Sequence, residues 1–209
     1  MVLSVLQAPA TTSLLGQELL EANDFTATVE DPSIPLSIRN IIALAEQAEG
    51  TNEASSVLVT IAQIPGTSAV GSVSKGIEVY GWSFAARRKS VEGADGQLQA
   101  TGHVVITDFF MVLPDDSWVE SAIQNTFDGA NVGNVSLFFL RNVGPTAATD
   151  FQVDLTNCRI TALYEGEYVT ALGLGFDTIK LTYFPITDDG KASGQVAAGF
   201  DLTKNAPVK

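Results

Sequence analysis

Cysteine and histidine are nearly missing from this chain: in 209 residues there is one of each, Cys158 and His103. A lone cysteine cannot close an internal disulfide, so folding needs no oxidising compartment and stability has to come from packing. One histidine, one cysteine and scattered acids offer no close-spaced ligand set of the kind zinc selects. Basic residues are scarce too, with 11 Lys and Arg against 24 Asp and Glu and a formal charge of −13. That balance argues against nucleic acid, whose binding rests on clustered cations releasing counterions, and against anionic membrane surfaces. No apolar run approaches the roughly 20 residues of a spanning helix, so no membrane insertion is expected. The opening Met1-Val2-Leu3-Ser4-Val5-Leu6 lacks the basic residues and length of a secretory signal, and synthesis in the cytoplasm without a cleaved signal peptide is the expectation. There is no phosphate-binding glycine loop, dinucleotide fingerprint or Gly-x-Ser-x-Gly elbow, and no cofactor is implied.

What is abundant is apolar side chain. Hydrophobic residues make up 45% and charged residues only 17%, with a mean hydropathy of +0.20. A chain of this size can fill a solid core, and the excess points to apolar surface buried between subunits.

Composition divides the chain near residue 55. Residues 1–55 hold one base, Arg39, against eight acids, for a charge of −7; the rest carries −6 on nearly three times the length. Within the extension, Ile38, Ile41, Ile42 and Ala45 fall at helical spacing after Pro35, Ser37 can cap the start and Gly50 can stop it. This spacing predicts a helix over 37–49. A second helical pattern over 13–22 is interrupted by Gly16. The expected organisation is an acidic, partly helical extension at 1–55 and a β domain at 56–209.

The body reads as short strands punctuated by Gly, Asp and Pro. Strands are expected at 56–64, 77–88, 98–113, 134–142, 151–164, 172–184 and 196–202, with turns at 93–96 and at Asp188-Asp189-Gly190. The second and third strands are expected to pair as a hairpin. One helix interrupts them: Pro114 ends a strand, Ser117 and Glu120 have capping-box spacing, Val119, Ala122, Ile123, Thr126 and Phe127 line one face, and Gly129 supplies the stop. In two strands the alternation slips by one residue, from Leu155 to Ile160 and from Phe176 to Ile179. Such a slip marks a bulge or bend and predicts a mainly β fold, a bent sheet or barrel with one packed helix.

Candidate chemistry is thin. His103 and Cys158 could in principle form a thiolate pair, but neither sits in a signature for cysteine catalysis, and Cys158 reads as a small buried hydrophobe. Asp115-Asp116 and Asp188-Asp189-Gly190 lack calcium-loop spacing and read as helix-start charges and a turn. Leu172-Gly173-Leu174-Gly175 reads as a bent strand. Arg87-Arg88-Lys89, the one basic cluster, is either a solvated strand end or a salt contact between subunits. Trp82 and Trp118 read as core aromatics, with an interface role open for either. No catalytic, cofactor-binding or metal residues are assigned.

In order along the chain, several stretches match a known pattern. Ile77-Glu78-Val79-Tyr80-Gly81-Trp82-Ser83-Phe84, Val105-Ile106-Thr107-Asp108-Phe109, Phe176-Asp177-Thr178-Ile179-Lys180-Leu181-Thr182-Tyr183-Phe184-Pro185 and Ala198-Gly199-Phe200-Asp201-Leu202-Thr203-Lys204-Asn205 resemble the haemolysin-coregulated protein (Hcp) family of type VI secretion, over roughly residues 56–207. The resemblance implies a barrel-like fold in rings of six, stacked into a tube inside a contractile sheath, carrying effectors in the lumen and exported by the apparatus itself. Sheath, spike and baseplate proteins are the implied partners besides other copies of the chain. Family members usually begin near the first strand, whereas about 55 residues precede it here. Two other functions stay open: an effector carrier or adaptor that uses the fold without polymerising, and a hydrolase on a β scaffold, against which the single histidine weighs.

Overall fold

The computed structural model describes residues 57–92, 97–143, 146–166, 168–185, 187 and 194–208. The expected extension at 1–55, with its helix at 37–49, and the turns at 93–96 and Asp188-Asp189-Gly190 lie outside the described residues.

The described chain runs β1 (Val57–Ile61), β2 (Ser68–Val70), β3 (Val73–Glu78), β4 (Gly81–Ser83), β5 (Ala86–Glu92), β6 (Leu98–Ile106), β7 (Phe109–Pro114), α1 (Trp118–Asp128), β8 (Asn131–Val143), β9 (Thr146–Glu165), β10 (Val169–Gly175), β11 (Thr178–Tyr183), β12 (Val196–Asp201) and β13 (Ala206–Val208). It is mainly β, with one helix among the described residues, and its strand pairs are antiparallel. The main sheet runs β13-β12-β11-β9-β8-β1-β3-β2, and β10 joins β9 to β7, which pairs with β4.

β9 organises this sheet. Its first part lies between β8 and β11, and its last residues turn away to pair with β10. The bend falls where the alternation slips: Asn157 has a φ of 55°, and β8 shifts register at Gly133, whose own φ is 84°. These left-handed residues insert an extra position in each strand, which turns the apolar set back toward the core. The second slip has a different basis. The chain leaves β10 at Gly175 and enters β11 at Thr178, so the expected strand 172–184 is two strands with different neighbours.

The hairpin expected between 77–88 and 98–113 is present but broken. Gly81, Trp82 and Ser83 pair with Val112, Met111 and Phe110 in the main sheet, while Ala86–Glu92 pairs with Leu98–Ile106 as a separate two-stranded ribbon. At the break the Thr107 hydroxyl accepts the Ala85 N–H at 2.9 Å, replacing a ladder bond. Upstream, β3 pairs with β1 instead. The crossing is made in two residues: the Val79 N–H donates to Val57 in β1 and the Tyr80 N–H to Val112 in β7. β3 and β7 are not ladder partners, so the sheet bends round its core and this crossover bridges the seam.

That core gathers Val59, Ile61, Ile77, Phe109, Met111, Leu113, Trp118, Leu137, Val153, Leu155, Leu172 and Leu174, all buried. Each fully buried side chain of this size contributes about 1.5–3 kcal/mol of transfer free energy. The helix closes the core with Trp118 and Ala122, and the Trp118 indole N–H donates to the Pro114 carbonyl at 3.0 Å. Phe127, expected on the core face, is 80% exposed. Helical spacing placed it with Ile123, but the last turn has run past the sheet.

Candidate assembly surface

Strand edges define the first feature of the surface. The described strand path ends on β2 and on β13, each three residues long. The β5–β6 ribbon has no third strand on either side among the described residues. Open edges present unpaired N–H and C=O groups to another chain, and an isolated two-stranded ribbon is marginal in water. Arg87 and Arg88 are exposed on this ribbon, opposite Val105 and Val104. They lie within β5, not at the end of a strand as expected, because the hairpin continues past them to Glu92. Val105, cross-strand from Arg87, is 37% exposed, so a guanidinium and an apolar side chain share one face.

A clasp holds the C-terminal turn against this ribbon. Asp201 accepts hydrogen bonds from the Thr203 hydroxyl at 2.6 Å, the Lys204 N–H at 3.0 Å and the Lys204 Nζ at 2.8 Å. The Lys204 ammonium and these hydrogen bonds hold the carboxyl well below the usual carboxylate range, and the carboxylate in turn raises the lysine. The turn puts Asn205 at a φ of 50°, and its Oδ1 accepts the Val104 N–H at 3.0 Å. The stretch Gly199-Phe200-Asp201-Leu202-Thr203-Lys204-Asn205, quoted above for the resemblance, thus ties the ribbon to the main sheet. Its residues were legible, but the role was not, since Val104 lies 101 positions away.

The helix start is built from acids. Asp116 accepts the Ser117 N–H at 2.6 Å and the Thr67 hydroxyl at 2.7 Å, and the Thr67 bond is the larger cause of its lowered pKa. Ser117 itself makes no side-chain cap bond and has helical φ and ψ. The expected Ser117–Glu120 capping box has no Ser117 cap bond, and the Asp116 carboxylate holds the Ser117 N–H at the helix start instead. Asp115 accepts the hydroxyl of buried Thr170 at 2.6 Å. Thr67, Glu78, Asp115, Asp116 and Trp118 line a cleft of about 220 Å³, and among the described residues no group of three ligands could hold a metal ion.

The one histidine and the one cysteine are not brought together. His103 is exposed on the ribbon. Cys158 is fully buried in the core, where burial above all, with the Asp177 charge adding, pushes its thiol up to about 12. A thiol held protonated is neither nucleophile nor metal ligand. Trp82 is half-buried, stacked on Phe109 and edge-on to Phe139, so both tryptophans pack on the core.

The fold is shared with type VI secretion proteins of known structure. A "type six secretion system protein" superposes with a TM-score of 0.64 at 16% identity over 73% of this chain and 98% of the other. Hcp1 from Salmonella typhimurium gives 0.57 at 20% identity, covering 73% and 97%. Hcp1 of the E. coli EAEC 042 pathovar gives 0.58 at 16% identity, covering 71% and 99%. The model of the family described as "Type VI secretion system effector, Hcp" matches residues 58–187. The chain belongs to the Hcp family. No curated protein sequence matches it. Among the described residues no helix is long and apolar enough to cross a membrane.

Proposed function

We propose that this chain is a structural subunit that closes into rings of six, which stack into the tube of a contractile type VI apparatus and carry effectors in the lumen. The observation that carries this reading is the open ribbon β5–β6, which shows an arginine pair beside exposed Val105 and has no further strand partner among the described residues. In a ring, a neighbouring copy supplies the missing cover, and closure removes free edges. Complementary charge sets the register: the cationic ribbon meets a surface that is acidic overall. Assembly is the activity, and no catalytic step is assigned. Sheath and spike or baseplate proteins are its other partners; the chain is made in the cytoplasm and leaves through the apparatus. Residues 1–55 form an acidic extension on a domain that starts at about residue 56.

Negative-stain electron microscopy of the purified protein tests the reading. Closed rings, with stacks at high concentration, are expected; isolated particles of one-copy size at every concentration would favour a carrier that does not polymerise.

A further inference from the structure

We propose that the isoleucine stripe Ile38, Ile41 and Ile42 packs within the same copy on the outer face of β7 and β10. The two strands are buried on both faces, with Phe109–Leu113 and Val169–Leu174 buried without interruption. An antiparallel sheet with one solvated face alternates buried and exposed residues, and these strands do not. Phe109, Met111, Leu113, Leu172 and Leu174 belong to the core. Phe110, Val112, Val169 and Ala171 point to the opposite face, yet are 9%, 0%, 1% and 2% exposed.

Tyr164 flanks Ala171 at the rim of this face, but the other lateral neighbours are small. Val112 lies between Gly81 of β4 and Ala171 of β10, and residues this small leave a valine open from above. The Phe110 ring leans across over Gly173, its partner in β10. Among the described elements, β7 and β10 make their main contacts with β3, β4 and β9, which lie beside them, and α1 lies against β9 on the core side. Burial within a single copy therefore calls for a further piece of the same chain.

β1 begins beside β7. The Val57 carbonyl accepts the Val79 N–H at 3.0 Å, and the next N–H, of Tyr80, reaches the Val112 carbonyl at 2.9 Å. Seven residues, 50–56, separate the predicted helix from that point and span up to about 25 Å when extended. The face from Phe110 to Pro114 is about 14 Å long, well within reach. The predicted helix 37–49 also has the matching chemistry, a stripe of isoleucines with Arg39, Asn40 and Glu46 off it. A helix of about 13 residues does not persist alone in water, so the stripe requires a surface, and this surface requires a cover.

Disulfide trapping in the full chain tests the proposal. Single cysteines are placed at each position from 38 to 45 and paired with Ala171→Cys or, as a second anchor on the exposed rim of the same face, with Tyr164→Cys. Cys158 can stay, because its buried, protonated thiol does not exchange. Folding of each variant is checked by circular dichroism before oxidation. Intramolecular cross-links at 38, 41, 42 and 45, roughly tenfold above those at 39, 40, 43 and 44, are expected, since a disulfide forms only at Cα separations below about 7 Å. No enrichment at the stripe with either anchor would overturn the proposal. Cross-links that run between copies would overturn it as well, by assigning the cover to a neighbour's segment.

Discussion

Gly173→Ala is expected to destabilise the protein by about 1–2 kcal/mol, although alanine normally improves a strand. An added Cβ would sit 2.8 Å from Cε1 and 3.2 Å from Cζ of Phe110, and 3.2 Å from the Cβ of Ala162. Carbon atoms pack at about 3.5–4.0 Å, so the ring has to move by roughly 0.7 Å or more. Phe110 is 9% exposed, and overfilling a packed site costs about 1–3 kcal/mol. The gain from replacing glycine, about 0.5–1 kcal/mol, offsets part of that. For a protein of this size each kcal/mol lowers Tm by about 2–4 °C. Urea unfolding at one fixed protein concentration is the assay, because assembly would otherwise shift the midpoint. Repeating it in a Phe110→Leu background completes the cycle: without the ring the same Gly173→Ala change becomes neutral or mildly stabilising, a coupling of about 1–2 kcal/mol. An equal effect in both backgrounds, or stabilisation in the wild type, would refute the packing of the ring over Gly173.

Four further outcomes follow from the geometry. Gly66→Ala aims its Cβ at the Gly76 carbonyl oxygen, a backbone atom that no side-chain change can relieve, and should lower the urea midpoint more than Gly173→Ala does. Asp116→Ala should lower Tm more than Ser117→Ala, since the aspartate and not the serine holds the helix N-terminus. The Asp201 carboxyl titrates near 3.9 when unfolded and lower when folded, so the folded state binds fewer protons. The stabilisation it gives is complete above about pH 5 and fades as pH falls through 4 and below, and acid unfolding curves of Asp201→Asn should lose that component. Cys158 should resist iodoacetamide in the folded protein and react in denaturant, as a buried thiol held near 12 must.

Local chemistry made part of this fold legible in the sequence. Pro114 and Gly129 bracket α1 because one cannot continue a strand ladder and the other takes the left-handed cap, with a φ of 59°. The phase slip around Asn157 was visible as a change in which residues alternate. The slip at Phe176-Asp177 looked the same but marks a passage between strands, because periodicity reports burial and not which strand lies alongside. The split of 73–83 into β3 and β4 was illegible for that reason: Val79 and Tyr80 serve β1 and β7, and partners are set by contacts far along the chain. β2 and β13 were missed since three residues carry too little pattern, and Val169-Thr170-Ala171 since both faces of β10 are buried and no alternation exists. Of the assembly surface, the cluster Arg87-Arg88-Lys89 could be read directly. Its place within an open ribbon depends on the break at Thr107, where a hydroxyl takes the Ala85 N–H as the hairpin leaves the main sheet.

Self-assembly is read out by the mass of the particle in solution. Light scattering from micromolar to millimolar protein should return a particle near 132 kDa, six times the 22.0 kDa chain, with larger species as concentration rises. A mass of one chain throughout that range would rule ring formation out.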